Sequence, residues 1–125
     1  MEITNAKKAV QKARKQIQTY NKEHFIGLYL DARSKVKYAE LISLGTINAN
    51  LVHPREVFCP AIKKRSTAII VLHNHPSGNL EPSDADRELT KRLHAAGKLL
   101  GIEVLDHIIF DRGEEHYSFR DKGLL

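Results

Sequence analysis

The sequence predicts an α/β fold with a mixed sheet and helices on both of its faces. Residues 67–72 are continuously apolar, which is typical of a central strand covered on both sides. Residues 84–100 show helical spacing of apolar residues and precede a further strand at 102–110. With a short edge strand expected at 115–120, the predicted element order is α-β-β-α-β-α-β-β, which is the pattern of a layered α/β domain.

The first part of the chain predicts one helix and a pair of strands. Residues 5–21 carry apolar side chains at helical spacing with lysines opposite them. Residues 24–31 predict a buried strand and residues 35–44 an alternating one. Only a short turn separates these strands, so we expect them to pair as a hairpin. The side chains expected to share one face of the second strand are Val36, Tyr38, Glu40, Ile42 and Leu44.

Proline and glycine mark the expected ends of the later helices. Pro54 can start a short helix over 55–65, and Pro60 inside it should end or kink that helix. The helix over 84–100 is the best defined, and Gly101 is placed to terminate it. Its expected apolar stripe consists of Ala85, Leu89, Leu93, Ala96 and Leu100.

Length and composition indicate a single soluble domain spanning residues 1–125. The chain is 42% hydrophobic and 28% charged, and no apolar run has the length of a membrane span or the form of a signal peptide. The single cysteine, Cys59, excludes an internal disulfide and a cysteine-rich zinc site. A cytoplasmic location is therefore expected, with no contact to membranes. An edge strand could pair two copies into a homodimer.

The formal net charge of +5 lies entirely in residues 1–22. A basic helix face can contact phosphates, so a weak nucleic-acid contact through this segment is one interpretation. A solvated helix face is the simpler one, because runs of like charge are common. The basic residues are Lys7, Lys8, Lys12, Arg14, Lys15 and Lys22, opposed by Glu2.

A candidate metal site follows the predicted central strand. His73 and His75 are two residues apart, so in extended backbone both imidazoles point the same way, just past the strand's carboxyl end. Asp86, in the first turn of the next helix, can return a carboxylate to them. Two imidazoles and a carboxylate suit zinc and leave a fourth position free.

Each part of this motif also has a purely structural interpretation. Ser83 and Asp86 fit a helix N-cap with an acid at the third helical position. A buried histidine is often only a hydrogen-bonded core residue. Asp106 and His107, on the strand over 102–110, could orient a ligand imidazole or form a satisfied core pair. The histidine pair at a strand end, followed by a helix-borne aspartate, favours a metal site.

The motif resembles that of the JAMM (MPN+) metalloproteases, namely His73-x-His75-Pro76, six residues, Ser83, two residues and Asp86. From about residue 20 onward the chain is similar to the RadC family. The stretches that carry this second resemblance are Val52-His53-Pro54-Arg55-Glu56-Val57-Phe58, His73-Asn74-His75-Pro76-Ser77-Gly78, Glu81-Pro82-Ser83, Leu99-Leu100-Gly101-Ile102 and Leu105-Asp106-His107.

The resemblance implies a cytidine-deaminase-like three-layer α-β-α fold and zinc-dependent hydrolysis of an amide bond in a peptide or protein. It implies that His73, His75 and Asp86 bind Zn²⁺ and that Ser83 stabilises the oxyanion. JAMM enzymes also use an upstream glutamate to take a proton from the attacking water. Glu23 matches that position, and Glu40 is its rival.

The resemblance leaves the substrate and the turnover open. Asn74 stands where deubiquitinating relatives usually have Ser or Thr, which argues against assuming their substrate. RadC proteins are nominally linked to DNA repair and often carry a helical DNA-binding-type region before this domain. The chain is thus expected to be a short member or an excised catalytic domain. The alternative to a metalloprotease or isopeptidase is a DNA-associated or metal-binding module without turnover.

Overall fold

The computed structural model describes residues 2–3, 5–45 and 52–125. Within these residues the predicted element order is confirmed. None of the helices described is long and apolar enough to cross a membrane. The elements are α1 (Ala6–Ala13), β1 (His24–Leu30), β2 (Val36–Leu44), α2 (Pro54–Lys63), β3 (Ala68–Asn74), α3 (Asp84–Leu100), β4 (Glu103–Phe110) and β5 (His116–Ser118).

In the described part of the chain, five strands form one mixed sheet in the order β2-β1-β3-β4-β5. Strands β3 and β4 are parallel and are joined through α3, whereas the other neighbouring pairs are antiparallel. The apolar strand β3 lies at the centre, as its sequence predicts. The parallel pair also places the carboxyl ends of β3 and β4 at one edge, where the candidate metal ligands begin.

Among the described residues, two apolar cores cover the two faces of the sheet, which confirms the prediction of helices on both sides. Strand β3 contributes to both, because alternate residues of a strand point to opposite faces. Ile69 and Val71 pack with α2 and α3, whereas Ile70 and Leu72 pack with α1. Each of these four side chains is at most 5% exposed.

Helix α1 is shorter than the helix predicted over 5–21. It ends at Ala13, and a single 3-10 turn follows. Two tertiary contacts explain this end. The Arg14 guanidinium donates to backbone carbonyls of the β4–β5 loop, and the Gln18 N–H donates to Nε2 of His24 (3.0 Å) instead of to a helical carbonyl. Arg14 therefore holds the fold together rather than adding to a free basic face.

Helix α2 runs through Pro60, so this proline does not end the helix, which was one of the two outcomes predicted for it. Proline removes the hydrogen bond to the carbonyl four residues earlier, which here belongs to the exposed residue Glu56 and can be hydrated. The helix begins at Pro54, as predicted. It ends at Lys63, two residues before the predicted end, and Arg65 then adopts a left-handed conformation (φ 54°).

Strand β2 does not present a single apolar face. Tyr38 and Ile42 pack with the core beneath α2 and α3, whereas Val36 packs with the core beneath α1. Leu44 is 42% exposed. The alternation fails because the pairing of β1 with β2 contains two irregularities, each of which skips one residue on β2 and reverses the side-chain direction.

Helix α3 has the predicted bounds, but its predicted stripe is only partly correct. Leu89 and Leu93 are fully buried, whereas Leu100 is 49% exposed. The buried face includes two polar residues instead, Asp86 and Thr90. Buried polar groups need partners: Asp86 finds them in His73 and His75 at the end of β3, and Thr90 finds them in the Asp86 carbonyl and in His107 of β4.

Candidate metal centre

Three side chains converge at the carboxyl end of β3. Nε2 of His73 lies 3.2 Å from Oδ1 of Asp86, and Nε2 of His75 lies 3.2 Å from Oδ2 of the same carboxylate. The two Nε2 atoms are 2.9 Å apart. The His73 side chain is fully buried and that of Asp86 nearly so, whereas the His75 side chain is 15% exposed. The cluster is therefore enclosed on most sides and reaches solvent beside His75.

The strand and the turn after it set the directions of both imidazoles. His73 pairs with Phe25 of β1, whose ring stacks beside the imidazole. His75 N donates to the carbonyl of Phe110 (3.0 Å), which extends the β3–β4 pairing by one residue. Gly78, with φ +82°, then turns the chain. The two histidines thus keep the common orientation expected of residues two apart in extended backbone.

Ser83 and Asp86 form a complete capping box at the start of α3. Ser83 Oγ accepts from Asp86 N (3.0 Å), and Ser83 N donates to Asp86 Oδ2 (2.8 Å). The cap interpretation is therefore correct, and it is compatible with the cluster because both carboxylate oxygens also reach the histidines. The cap uses a lone pair of the serine oxygen, so the O–H group can still donate to another acceptor.

A backbone carbonyl fixes the orientation of His75. Its Nδ1 lies 2.6 Å from the carbonyl oxygen of Asn79, which can only accept, so Nδ1 carries a proton. In the neutral ring the Nε2 lone pair then faces Asp86 and His73. Burial opposes protonation of His75, but the hydrogen bonds to Asp86 and Asn79 and the charges of Asp86 and Glu23 raise its pKa overall.

The sequence left two interpretations of His107, and its contacts in the structure distinguish between them. Its Nε2 lies 2.8 Å from Nδ1 of His73, and its Nδ1 lies 2.6 Å from Oγ of Thr90. The ring is fully buried and stacks on Phe119, with centroids 4.7 Å apart. Burial, reinforced by the neighbouring His73, holds the pKa of His107 well below its usual range. His107 is therefore a partner of the His73 imidazole.

Asp106, in contrast, belongs to the structural support of β4 and β5. Its carboxylate accepts from Ser118 Oγ, from Arg120 N and from His107 N. Burial raises the pKa of this carboxyl. Asp106 and His107 thus have different roles, one in supporting β4 and β5 and the other in contacting His73, because adjacent residues of a strand point to opposite faces.

The donor atoms of the cluster fit a small divalent cation. The ligand-capable atoms of His73, His75 and Asp86 lie within 4.8 Å of one another. Tetrahedral zinc with bonds of about 2.0–2.1 Å separates its ligand atoms by roughly 3.3 Å. The nearest spacings in the cluster are 2.9 Å between the two Nε2 atoms and 3.2 Å from each Nε2 to a different oxygen of Asp86. Burial opposes ionisation of Asp86, but the neighbouring imidazoles of His73 and His75, each 3.2 Å away, lower the pKa of its carboxyl well below the usual range. An ionised carboxylate facing imidazole nitrogens is an electron-rich site that a cation would stabilise.

Glu23 lies at the same edge of the sheet as the cluster. Phe25 pairs with His73 in antiparallel strands, and continuing this register by two residues would bring Glu23 opposite His75. The charge of Glu23 contributes to the raised pKa of that histidine. The side chain of Asn74 links the two segments. Its Oδ1 accepts from His24 N (2.6 Å) and its Nδ2 donates to the carbonyl of Lys22 (2.9 Å), so it holds both peptide groups that flank Glu23.

Glu40 lies farther along the sheet. It pairs with Gly27, which in turn pairs with Val71, two residues before His73 on β3. Its carboxylate accepts a hydrogen bond from the Tyr38 hydroxyl (2.9 Å). It lines a groove between β2 and α2 that also contains Arg55.

The sequence interpretation missed two groups that orient the histidines. Thr90 lies one helical turn after Asp86, so the spacing of four residues on α3 was a usable signal. Asn79 acts through its backbone carbonyl, so no side-chain pattern could identify it.

Comparison with known proteins agrees with the fold and the candidate metal cluster described above. The model of the RadC-like JAB domain matches residues 3–124. Similar proteins named UPF0758 occur in Rubrobacter xylanophilus (46% identity, covering 90% of this chain and 48% of the relative), Finegoldia magna (60%, covering 70% and 39%) and Methanosarcina mazei (47%, covering 83% and 45%). The chain spans about half the length of the curated relatives it matches or less. With its mixed sheet and the cluster of His73, His75 and Asp86, the chain belongs to the family of RadC-like JAB-domain proteins.

Proposed function

We propose that this chain is a zinc-dependent hydrolase that cleaves an amide bond, of peptide or isopeptide type, in a peptide or protein substrate. The observation that carries the proposal is the convergence of His73, His75 and Asp86. Membership in the JAB-domain family supports it, because members are often metallohydrolases. The donor set of two imidazoles and one carboxylate favours zinc among the common divalent metals.

His73, His75 and Asp86 would hold the ion, and the exposed side of His75 faces the solvent from which a substrate would arrive. When bound, zinc would supply a Lewis acid that polarises a carbonyl group and makes water more acidic. The enclosed remainder of the site would exclude competing water, because His73 and Asp86 are almost completely buried.

Glu23 is the proposed general base. The half-buried position of Glu23 and the effect of its charge on the pKa of His75 support this role, in which the carboxylate would take a proton from the attacking water and pass it to the leaving amine. Ser83 is proposed to donate its O–H to the oxygen that becomes negative in the transition state, because the cap occupies only a lone pair of that hydroxyl.

A matched pair of substitutions tests the base assignment. Glu23→Gln should retain zinc and lower the rate of peptide hydrolysis by about 10²–10⁴-fold, the usual size of a general-base contribution. Glu40→Gln should remain close to the unaltered protein in both measurements. Hydrolysis of a diverse peptide library, with zinc content determined for each protein, provides the readout. An undiminished rate in Glu23→Gln would refute the role of Glu23.

The same experiment separates the hydrolase from a metal-binding module without turnover. Such a module would retain zinc in the unaltered protein but release no cleaved peptide above the level of the protein in which His75 is replaced by Ala.

A further inference from the structure

We propose that Thr90 and His107 preset the tautomer of His73, so that its Nε2 presents a lone pair to the metal before the metal arrives. Thr90 and His107 are positioning residues, because His107 contacts the Nδ1 atom of His73 and Thr90 contacts His107, on the side of the imidazole away from the cluster. The inference rests on the proposed function in that it takes His73 to be a metal ligand.

The direction of the hydrogen bonds follows from the single proton of the Thr90 hydroxyl. Thr90 Oγ donates to the carbonyl of Asp86, 2.8 Å away and one helical turn earlier. Towards Nδ1 of His107, 2.6 Å away, Oγ can then only accept, so His107 carries its proton on Nδ1. A neutral imidazole has one N–H, and Nε2 of His107 must therefore accept from Nδ1 of His73 at 2.8 Å.

The opposite direction of these hydrogen bonds would prevent His73 from binding a metal. If the Thr90 hydroxyl donated to His107, the chain would reverse and place the His73 proton on Nε2, facing Asp86 Oδ1 at 3.2 Å. That proton would occupy the place of the metal. The carbonyl of Asp86 is thus the group that decides the direction, because it takes the only proton that Thr90 can give.

Burial and ring packing leave few other ways to satisfy these groups. His73 and His107 are fully buried, and Thr90 is 4% exposed, so water has little access to their polar atoms. His107 is held between a stacked contact with Phe119 and an edge contact with Phe25. Because its ring is fixed, the position of its proton remains the main variable, and an unpaired N–H there would be costly.

Two substitutions of Thr90 test the inference with zinc ion alone as the probe. Thr90→Val keeps the shape of the side chain but removes the acceptor for His107 Nδ1–H, so zinc affinity should fall about 10–100-fold, the range typical of groups that orient metal ligands. Thr90→Ser retains the hydroxyl and should bind zinc nearly as the unaltered protein does. Competition with a chromogenic chelator measures each affinity.

The tautomers themselves provide a second readout in the zinc-free protein. Imidazole ¹⁵N chemical shifts should show Nδ1–H at both His73 and His107 in the unaltered chain. In Thr90→Val, His107 should shift toward the Nε2–H form. If the unaltered protein bound no zinc, the proposed function would fail, while these tautomers would still decide the present inference.

A control and a double substitution separate positioning from general damage. Ser66→Ala removes another buried hydroxyl, one for which the described residues offer no hydrogen-bond partner, and should leave zinc affinity unchanged. In a His107→Phe background, Thr90→Val should cause no further loss, because its effect acts through His107. Equal zinc affinity in Thr90→Val and the unaltered protein, or an undiminished loss in the His107→Phe background, would overturn the inference.

Discussion

Asp86 serves two structures at once. As the third residue of α3 it completes the capping box with Ser83, and the same carboxylate reaches both histidines. Either role alone would account for an aspartate at this position. A substitution that preserves the cap and removes the charge can therefore separate them.

Asp86→Asn is that substitution. The amide oxygen can still accept from Ser83 N–H, so the zinc-free protein should lose only about 1–2 kcal/mol of its free energy of unfolding. Zinc affinity should fall by more than the roughly 10–100-fold typical of outer contacts, because an ionic ligand is lost. Urea denaturation and zinc titration measure the two effects. Asp84→Asn, exposed in the same helical turn, is the control, and unchanged zinc binding in Asp86→Asn would show that Asp86 is only a cap.

Asn74 gives a second test at the scale of single residues. Asn74→Ala would leave the buried N–H of His24 without its acceptor and remove one of the two partners of the Lys22 carbonyl, which also lies 2.8 Å from Nδ1 of His24. We expect the free energy of unfolding to decrease by about 1–3 kcal/mol, the usual cost of an unsatisfied buried group. Amide hydrogen exchange at His24 should accelerate. If stability and exchange stayed the same, the proposed support of Glu23 by Asn74 would be wrong.

The candidate ligands were predictable at this scale because their signal is local. His73 and His75 are related by the period of a strand, and Asp86 by its place after a serine cap. The residues that orient these ligands could not be predicted from local sequence, since His107 contacts His73 but lies 34 residues away from it in the chain. For His107 the sequence left two interpretations, and only the packing of β4 beside β3 decided between them.

At the scale of elements, boundaries marked by local chemistry were predicted well. Helix α3 begins after Ser83 and ends before Gly101, whose φ of +71° suits glycine. The end of α1 was missed because it depends on Arg14 and His24, whose partners are set by the tertiary fold. The bulges of β2 were missed for the same reason, since they appear only when β2 is paired with β1.

Gly97 tests how closely α3 packs on the segment that follows it. In an open helix Gly→Ala stabilises by about 1 kcal/mol. Here the added Cβ would lie 2.5 Å from the carbonyl oxygen of Ile102, so Gly97→Ala should destabilise by about 1–3 kcal/mol. Lys98→Ala, exposed on the same helix, is the control in thermal and urea denaturation. Increased stability in Gly97→Ala would contradict this account of the α3–β4 packing.

At the scale of the whole molecule, the sheet order brings the candidate site together. The carboxyl end of β3 supplies two histidines, α3 the aspartate, β4 the supporting His107, and the start of β1 the neighbouring Glu23. The element order predicted this fold class, because an apolar strand followed by a helix and a second strand favours a parallel pair. The site thus connects four elements, and a bound metal would stabilise the folded state as a ligand does.

The metal content of the purified chain shows whether His73, His75 and Asp86 hold a zinc ion. The chain should be purified without added metal and analysed by mass spectrometry for bound elements, beside His75→Ala and the control His94→Ala, an exposed histidine of α3. We expect about one zinc ion per chain in the unaltered protein and in His94→Ala, and little in His75→Ala. No bound metal in the unaltered protein, or equal metal in His75→Ala, would contradict this expectation.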